Sequence, residues 1–130
     1  MQFTEDNIKN KELLGKLINE ETKRIFESET ARKDRDYEQV YTRVKQGKIA
    51  ELYMVETGKF SFSDIKWHDL KNKAGEYCEV KAYDVNDENA SSVKRDLVRY
   101  RTEKWCKSNW YYLFQCRGGE YKLLAIIRIK

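Results

Sequence analysis

Proline is missing from the 130-residue chain, glycine occurs six times, and no stretch rich in glycine and serine separates one part from another. Without such a linker the sequence shows no domain boundary. A chain of this length can bury the core of one domain and leaves little room for a second. We therefore predict a single domain over residues 1–130.

Long apolar runs and signals for export are also missing. The sequence has no run of about 18 apolar residues of the kind that crosses a membrane. Its first six residues lack the charged start and the apolar stretch of a signal peptide. These absences predict a cytoplasmic protein without a membrane partner.

Cysteine and histidine are scarce. Cys78, Cys106 and Cys116 are an odd, widely spaced set without a CxxC pair, which argues against a disulfide framework or a cysteine zinc site. We expect all three to be small buried apolar residues. His68 is the only histidine, so any histidine-based catalytic dyad would have to be built around it. A hydrogen bond to a functional neighbour, or plain exposure at a strand end, is the expectation for His68.

Charge is distributed unevenly along the chain, although the net charge is only +4. Residues 1–45 are neutral overall, residues 46–90 carry an excess of acidic side chains, and residues 91–130 carry a large excess of basic ones. An acidic middle followed by a basic end would suit a metal site beside a surface that binds a polyanion. The alternative is a chance asymmetry of solvated charges.

The spacing of apolar residues predicts an alternation of helices and strands. We expect two helices over about 5–28 and 37–58 with a break within 27–36, then one or two strands over 60–70 and a turn at 71–75. There follow a strand over 76–83, an acidic loop over 84–89, a helix over 91–107 capped by Ser91 or Ser92, a strand over 110–116, a turn at 117–120 and a strand over 121–129. This order is that of an α/β (α+β) domain with a mixed central sheet.

The strand 76–83 carries an acid and a base two residues apart. Side chains alternate between the faces of a strand, so Glu79 and Lys81 share one face and Cys78, Val80 and Ala82 share the other. Alone, such a pair is usually an ion pair on a solvated face, because burying unpaired charges is costly.

A second carboxylate changes the interpretation of that pair. Asp69 lies ten residues before Glu79, so a strand, a turn and a strand would bring the two together on neighbouring strands. Two converging carboxylates suit Mg²⁺ or Mn²⁺, and Lys81 beside them can orient an attacking hydroxide or offset charge on a phosphate. Asp64 is a second candidate for the first carboxylate if the turn lies elsewhere.

These residues resemble the motif of the PD-(D/E)xK nuclease superfamily, the fold of many restriction enzymes, recombination nucleases and junction resolvases. The motif residues are Asp69, preceded here by His68 rather than proline, and Glu79-Val80-Lys81. The segment 47–52 resembles the family's helix that carries a glutamate, here Glu51 on or beside the apolar stripe of the helix. The resemblance spans about residues 47–116.

The resemblance implies a restriction-endonuclease-like αβββαβ core over 47–116, a helical N-terminal extension over 1–45 and a closing strand over 117–130. It also implies that Asp69, Glu79 and the Val80 carbonyl bind the metal ion, that Glu51 supports it or binds a second ion, and that Lys81 is the catalytic lysine. Many small members of the family act as dimers, and the first two helices could supply such an interface.

The predicted helix 91–107 is strongly basic. In nucleases of this type the helix after the motif strand lies near the site, so its cations are expected to contact phosphates; the alternative is an ordinary solvated face. The expected contacts are Lys94, Arg95, Arg99, Arg101 and Lys104, with Lys107 also on the helix. Its predicted buried stripe consists of Val93, Leu97 and Tyr100. Nearby aromatic residues are expected in the core rather than as a base-stacking platform: Trp105, Trp110, Tyr111, Tyr112 and Phe114.

The sequence therefore predicts a Mg²⁺-dependent endonuclease, with Mn²⁺ as a substitute metal, that hydrolyses phosphodiester bonds in nucleic acid, with DNA expected over RNA. The alternative is a catalytically inactive module of nuclease fold that binds nucleic acid or a host protein. The short, highly charged chain is compatible with an origin in a phage or mobile element, which would place it in the cytoplasm of the host cell.

Overall fold

The computed structural model describes residues 1–27, 36–65, 68–84 and 87–130, with only the backbone described for 87–90. The elements in chain order are β1 (Gln2–Thr4), a 3₁₀ turn (Glu5–Asn7), α1 (Lys11–Glu27), α2 (Tyr37–Glu56), β2 (Phe60–Phe62), β3 (Leu70–Asn72), β4 (Tyr77–Tyr83), α3 (Asp87–Thr102), β5 (Ser108–Arg117) and β6 (Glu120–Arg128). The described part of the chain is thus a mixed α/β structure, as predicted. None of its helices is both long and apolar enough to cross a lipid bilayer.

The strands form one mixed sheet in the order β1-β6-β5-β4-β3-β2. β4 and β5 are parallel and are joined by α3, whereas the other neighbouring strands are antiparallel. Gly118 and Gly119 both have positive φ angles, which allows the tight turn between β5 and β6. The core of the sheet therefore lies at the parallel pair β4 and β5.

Helices α1 and α2 cover one face of the sheet. The side chain of Asn10 accepts a hydrogen bond from the Leu13 N–H and caps α1. Asp36 caps α2 by accepting from the Glu38 N–H. The apolar stripes of the two helices pack on Cys78, Val80, Ala82, Phe114, Cys116 and Tyr121. The predicted face of β4 is therefore confirmed as core.

Helix α3 covers the opposite face. Its predicted stripe of Val93, Leu97 and Tyr100 packs with Tyr111 and Leu113 of β5 in a second apolar cluster. All three cysteines are buried and free, as expected. Burial raises the pKa of the Cys78 thiol to about 12, so this side chain stays neutral.

Several predicted boundaries were wrong. The predicted N-terminal extension also contains a strand, β1, and α1 begins at residue 11 because residues 5–7 form a 3₁₀ turn. The stretch 60–70 contains β2 and the first residue of β3, and Trp67 lies outside the described residues, as does most of the predicted break at 27–36. The order α2-β2-β3-β4-α3-β5 nevertheless follows the predicted αβββαβ order.

Helix α3 begins and ends about four residues earlier than predicted. It begins at Asp87, so Ser91 and Ser92 lie within the helix and neither caps it. It ends at Thr102, where the Lys130 ammonium donates hydrogen bonds to the Glu103 and Cys106 carbonyl oxygens. Lys104 and Lys107 therefore lie in the connection to β5 rather than on the helix.

Candidate functional site

A polar cavity of about 490 Å³ opens beside β4, between α2 and α3. It lies there because the register of β3 against β4 ends at Leu70 and Cys78, whereas β4 continues to Tyr83. The edge of β4 beyond Cys78 therefore faces helices rather than a strand. Charged residues from three helices, from β4 and from the position just before β3 line the cavity: Glu21, Arg43, Lys48, Glu51, Asp69, Lys81 and Asp96.

Asp69 is fixed against that edge of β4. Its Oδ2 atom accepts a hydrogen bond of 2.9 Å from the Val80 N–H. The N–H and C=O of one strand residue project to the same side, so the Val80 carbonyl faces the same edge. The structure thus brings together the first carboxylate and the backbone carbonyl that the sequence motif predicted as neighbours.

Glu79 is held in a buried hydrogen-bond cluster with His68 and Ser108. The Oε1 atom of Glu79 lies 2.8 Å from Nδ1 of His68 and accepts a 2.5 Å hydrogen bond from Oγ of Ser108. The three side chains are at most 5% exposed. The Lys107 N–H donates to Nε2 of His68 at 3.2 Å, which assigns the ring hydrogen to Nδ1. His68 therefore donates to Glu79, as expected for a supporting residue.

The cluster is not arranged as a serine nucleophile with its base. Ser108 and Glu79 both meet the same ring nitrogen of His68, and the other nitrogen is occupied by the Lys107 backbone N–H. A relay needs the two partners on opposite ring nitrogens. Burial lowers the pKa of His68, with a further contribution from the charges of Lys107 and Lys130, so the ring is neutral at pH 7.

Glu51 is the buried carboxylate of α2, only 6% exposed, as its helical register predicted. Its Oε1 atom lies 3.5 Å from the Lys48 ammonium, one turn earlier on the helix. Burial raises the pKa of Glu51 to about 8, and the charge of Asp69 adds to this, although Lys48 opposes it. The side chain is thus a buried acid kept largely protonated at neutral pH.

Burial and the charge of Asp69 also raise the pKa of Glu79. Burial raises the pKa of Glu79 to about 8, and both the charge of Asp69 and a hydrogen bond to its carboxyl group add to the rise. The Ser108 hydroxyl opposes it. The charge of Asp69 therefore raises the pKa of two buried glutamates, and a cation bound among these carboxylates would oppose that rise.

Lys81 is the cation that β4 contributes to the cavity. Burial lowers the pKa of Lys81, but Tyr100 and the carboxylates of Asp69 and Asp96 outweigh this and raise it overall. Its ammonium therefore keeps its proton and stands as a positive charge beside Asp69. Such a group can stabilise negative charge on a phosphate.

The oxygen atoms that could bind a metal ion in this site are of the kind that a hard cation prefers. Within the ranges that the structure describes, no three histidine, cysteine or acidic side chains converge closely enough to hold a metal ion by themselves. Mg²⁺ commonly uses one or two carboxylates and keeps several waters, so Asp69, the Val80 carbonyl and a neighbouring glutamate would be sufficient. All these donors are oxygens, which fits Mg²⁺ or Mn²⁺ rather than zinc.

One sequence candidate for the site lies elsewhere. Asp64, the alternative first carboxylate, is exposed, accepts a 3.0 Å hydrogen bond from the Tyr77 hydroxyl and lies 3.9 Å from the Lys71 ammonium. Asp69 therefore holds the position by the cavity. Conversely, Arg43 and Lys48 line the cavity although the sequence interpretation missed them. Lys48 stands three residues before Glu51, a helical spacing that could have identified it.

The predicted phosphate contacts Lys94, Arg95, Arg99 and Arg101 are exposed on α3. Two of them already have partners: Arg99 lies 3.9 Å from Asp96, and Arg101 donates to the Arg128 carbonyl oxygen at 3.0 Å. Lys104 is exposed in the turn after the helix.

The expectation of a buried aromatic cluster was wrong at Trp105, which is 44% exposed. The indole lies in the turn after α3 rather than on the helix, so the helical stripe does not direct it inwards. Tyr111 and Phe114 are fully buried, and Trp110 and Tyr112 are half-buried.

Comparison with known proteins finds no match: no protein-family model fits the chain, and neither a curated protein nor a solved structure is significantly similar to it.

Proposed function

We propose that the chain is a small metal-dependent endonuclease of the restriction-endonuclease-like type, which hydrolyses phosphodiester bonds, with DNA as the expected substrate. The observation that carries the proposal is the burial of Glu51 and Glu79 beside Asp69, with Lys81 lining the same cavity as Glu51 and Asp69. Burying ionisable side chains destabilises a fold, so acidic side chains with strongly raised pKa values beside a cleft are typical of a functional site.

The proposed roles follow from the position of each side chain. Asp69 and the Val80 carbonyl would hold Mg²⁺, with Glu79 and Glu51 as further carboxylates, and the bound ion would supply Lewis-acid activation of the phosphodiester and of water. His68 and Ser108 orient Glu79 through their hydrogen bonds. Lys81 orients the attacking water and offsets the negative charge that develops on the phosphorus oxygens.

The basic face of α3 supports nucleic acid as the substrate. Lys94, Arg95 and Arg99 are exposed there, and Arg43 and Lys48 add positive charge to the cavity from α2. Contacts of this kind bind the phosphate backbone without reading the sequence and weaken as salt rises. A cytoplasmic location, a phage origin and a homodimer formed through α1 and α2 complete the proposal as hypotheses.

The proposal is tested by nicking of a supercoiled plasmid in Mg²⁺, in Mn²⁺ and in EDTA. We expect cleavage with either metal, no cleavage in EDTA, and a loss of about a hundredfold or more in the variants Asp69→Asn and Lys81→Ala. Asp64→Asn is the matched control, because Asp64 is an exposed acid outside the cavity. Full activity of Lys81→Ala would remove the central claim.

Measurements of plasmid binding and nicking also distinguish an enzyme from a non-catalytic binding module. A chain that binds the plasmid equally well with and without metal and never nicks it is a binding module of nuclease fold. Association with a host protein, together with no salt-dependent affinity for nucleic acid, would instead assign the chain to protein regulation. Circular dichroism of each variant shows whether lost activity reflects lost folding.

A further inference from the structure

Trp105 is exposed in a turn whose backbone is held by hydrogen bonds. The side chain is 44% exposed, although the neighbouring Cys106 is fully buried. The Cys106 N–H donates to the Glu103 carbonyl oxygen at 3.2 Å, and the Lys130 ammonium donates to the carbonyl oxygens of both residues. A tryptophan side chain contributes most to stability when its large apolar area is buried. The fold nevertheless presents this one to solvent.

The surroundings of Trp105 are cationic. Arg101, Lys104 and Lys107 are exposed on the same connection or on the last turn of α3, and Glu103 is the acid among them. We name the set Arg101, Lys104, Trp105 and Lys107 the Trp105 surface.

The backbone connects the Trp105 surface to the proposed catalytic residues. The Lys107 N–H donates to Nε2 of His68, the residue before Asp69. The next residue, Ser108, donates from its hydroxyl to Glu79. A ligand held at Lys107 would therefore lie beside the residues that orient the carboxylates.

We propose that the Trp105 surface binds an unpaired segment of nucleic acid, with one base stacked on the indole of Trp105 and its phosphates against Lys104 and Lys107. Exposed aromatic rings beside cations are how proteins bind single strands, because every base has a face that can stack. In a duplex those faces are covered by neighbouring base pairs. The inference deepens the proposed function, on which it rests for the assignment of nucleic acid as substrate: the substrate has a single-stranded stretch beside the scissile bond.

Binding in EDTA tests the inference without cleavage. The probe is a fluorescein-labelled thymidine oligomer of about 20 nucleotides, followed by anisotropy, with a hairpin duplex of the same length as the comparison. We expect Trp105→Ala to weaken binding of the single strand by about fivefold or more and binding of the duplex little. Ile126→Ala is the matched control, because Ile126 is 51% exposed on β6. We also expect the single strand to quench the tryptophan fluorescence of the unaltered chain.

Equal affinities of Trp105→Ala and the unaltered chain for the single strand would overturn the inference. So would an equal loss for both probes, or an indole emission that changes with protein concentration, which would assign Trp105 to a contact between proteins. The plasmid assay answers a separate question. Nicking by the unaltered chain, combined with equal affinities of Trp105→Ala and the unaltered chain for the single strand, contradicts only this inference. Single-strand binding that depends on Trp105, without any nicking, contradicts only the nuclease.

Discussion

Replacing Glu51 by glutamine should make the stability of the metal-free protein less dependent on pH between pH 7 and pH 8. The pKa of Glu51 and that of Glu79 are both raised to about 8 from the ordinary glutamate value of 4.5. In this window the folded chain therefore holds protons that the unfolded chain has already lost. Stability from such groups is fully present below the unfolded value and is lost as the pH rises through about 8.

The magnitude follows from the number of protons involved. Each proton bound by the folded state alone corresponds to roughly 1 kcal/mol of unfolding free energy lost per pH unit. With both glutamates the loss is about twice that, and Glu51→Gln should remove about half of it. For a chain of this size, 1 kcal/mol corresponds to roughly 3–5 °C in melting temperature.

The assay is thermal unfolding in EDTA at several pH values from 7 to 8. His68 does not affect the comparison, because its lowered pKa contributes to the pH slope of the variant and of the unaltered chain alike. Glu120→Gln is the control, since Glu120 is an exposed acid at the β5–β6 turn. An identical pH slope for Glu51→Gln and the unaltered chain would refute the reasoning. Added Mg²⁺ should raise the melting temperature more at pH 8 than at pH 7, because the carboxylates are then freer to bind it.

Two further substitutions test individual contacts. Gly47→Ala should raise the melting temperature by roughly 3–5 °C, because alanine gains about 1 kcal/mol over glycine within a helix and its Cβ would meet the Glu51 carboxylate at an ordinary 3.8 Å; a lower melting temperature would show that the cavity wall needs glycine. Ser108→Ala should raise the pKa of Glu79 further, since the serine hydroxyl lowers it. The pH midpoint of Mn²⁺ binding, measured by calorimetry, should then move upwards. Equal midpoints for Ser108→Ala and for the Ser61→Ala control would contradict the role of Ser108.

The parts of the structure predicted correctly from sequence are those with a local repeat. The seven-residue spacing from Val44 to Glu51 placed the carboxylate on the buried side of α2, and the structure has it 6% exposed. The two-residue alternation of β4 likewise separated Cys78 and Val80 from Glu79. Such patterns arise because a helix or a strand fixes the direction of each side chain.

The parts that failed depend on residues far apart in the chain. β1 has three residues, and its pairing with β6 joins Phe3 to Tyr121, so no local pattern indicates it. The Lys130 ammonium bonds to the turn that follows α3, and Glu79 accepts a hydrogen bond from Ser108, which follows it by 29 residues. The spacing of residues in the sequence identifies the motif, but it does not identify the distant side chains that hold the motif residues in place.

The parallel pairing of β4 with β5 has a consequence for how the protein folds. The β5–β6 hairpin closes over Gly118 and Gly119, whereas β4 meets β5 only after the whole of α3 has crossed the sheet. Closing the longer loop costs more chain entropy before stabilising contacts between its ends can form. We therefore expect the hairpin to form early and Glu79 to meet Ser108 late. The chain would acquire its carboxylate cluster only at the end of folding, which spares the intermediates the electrostatic cost of the finished site.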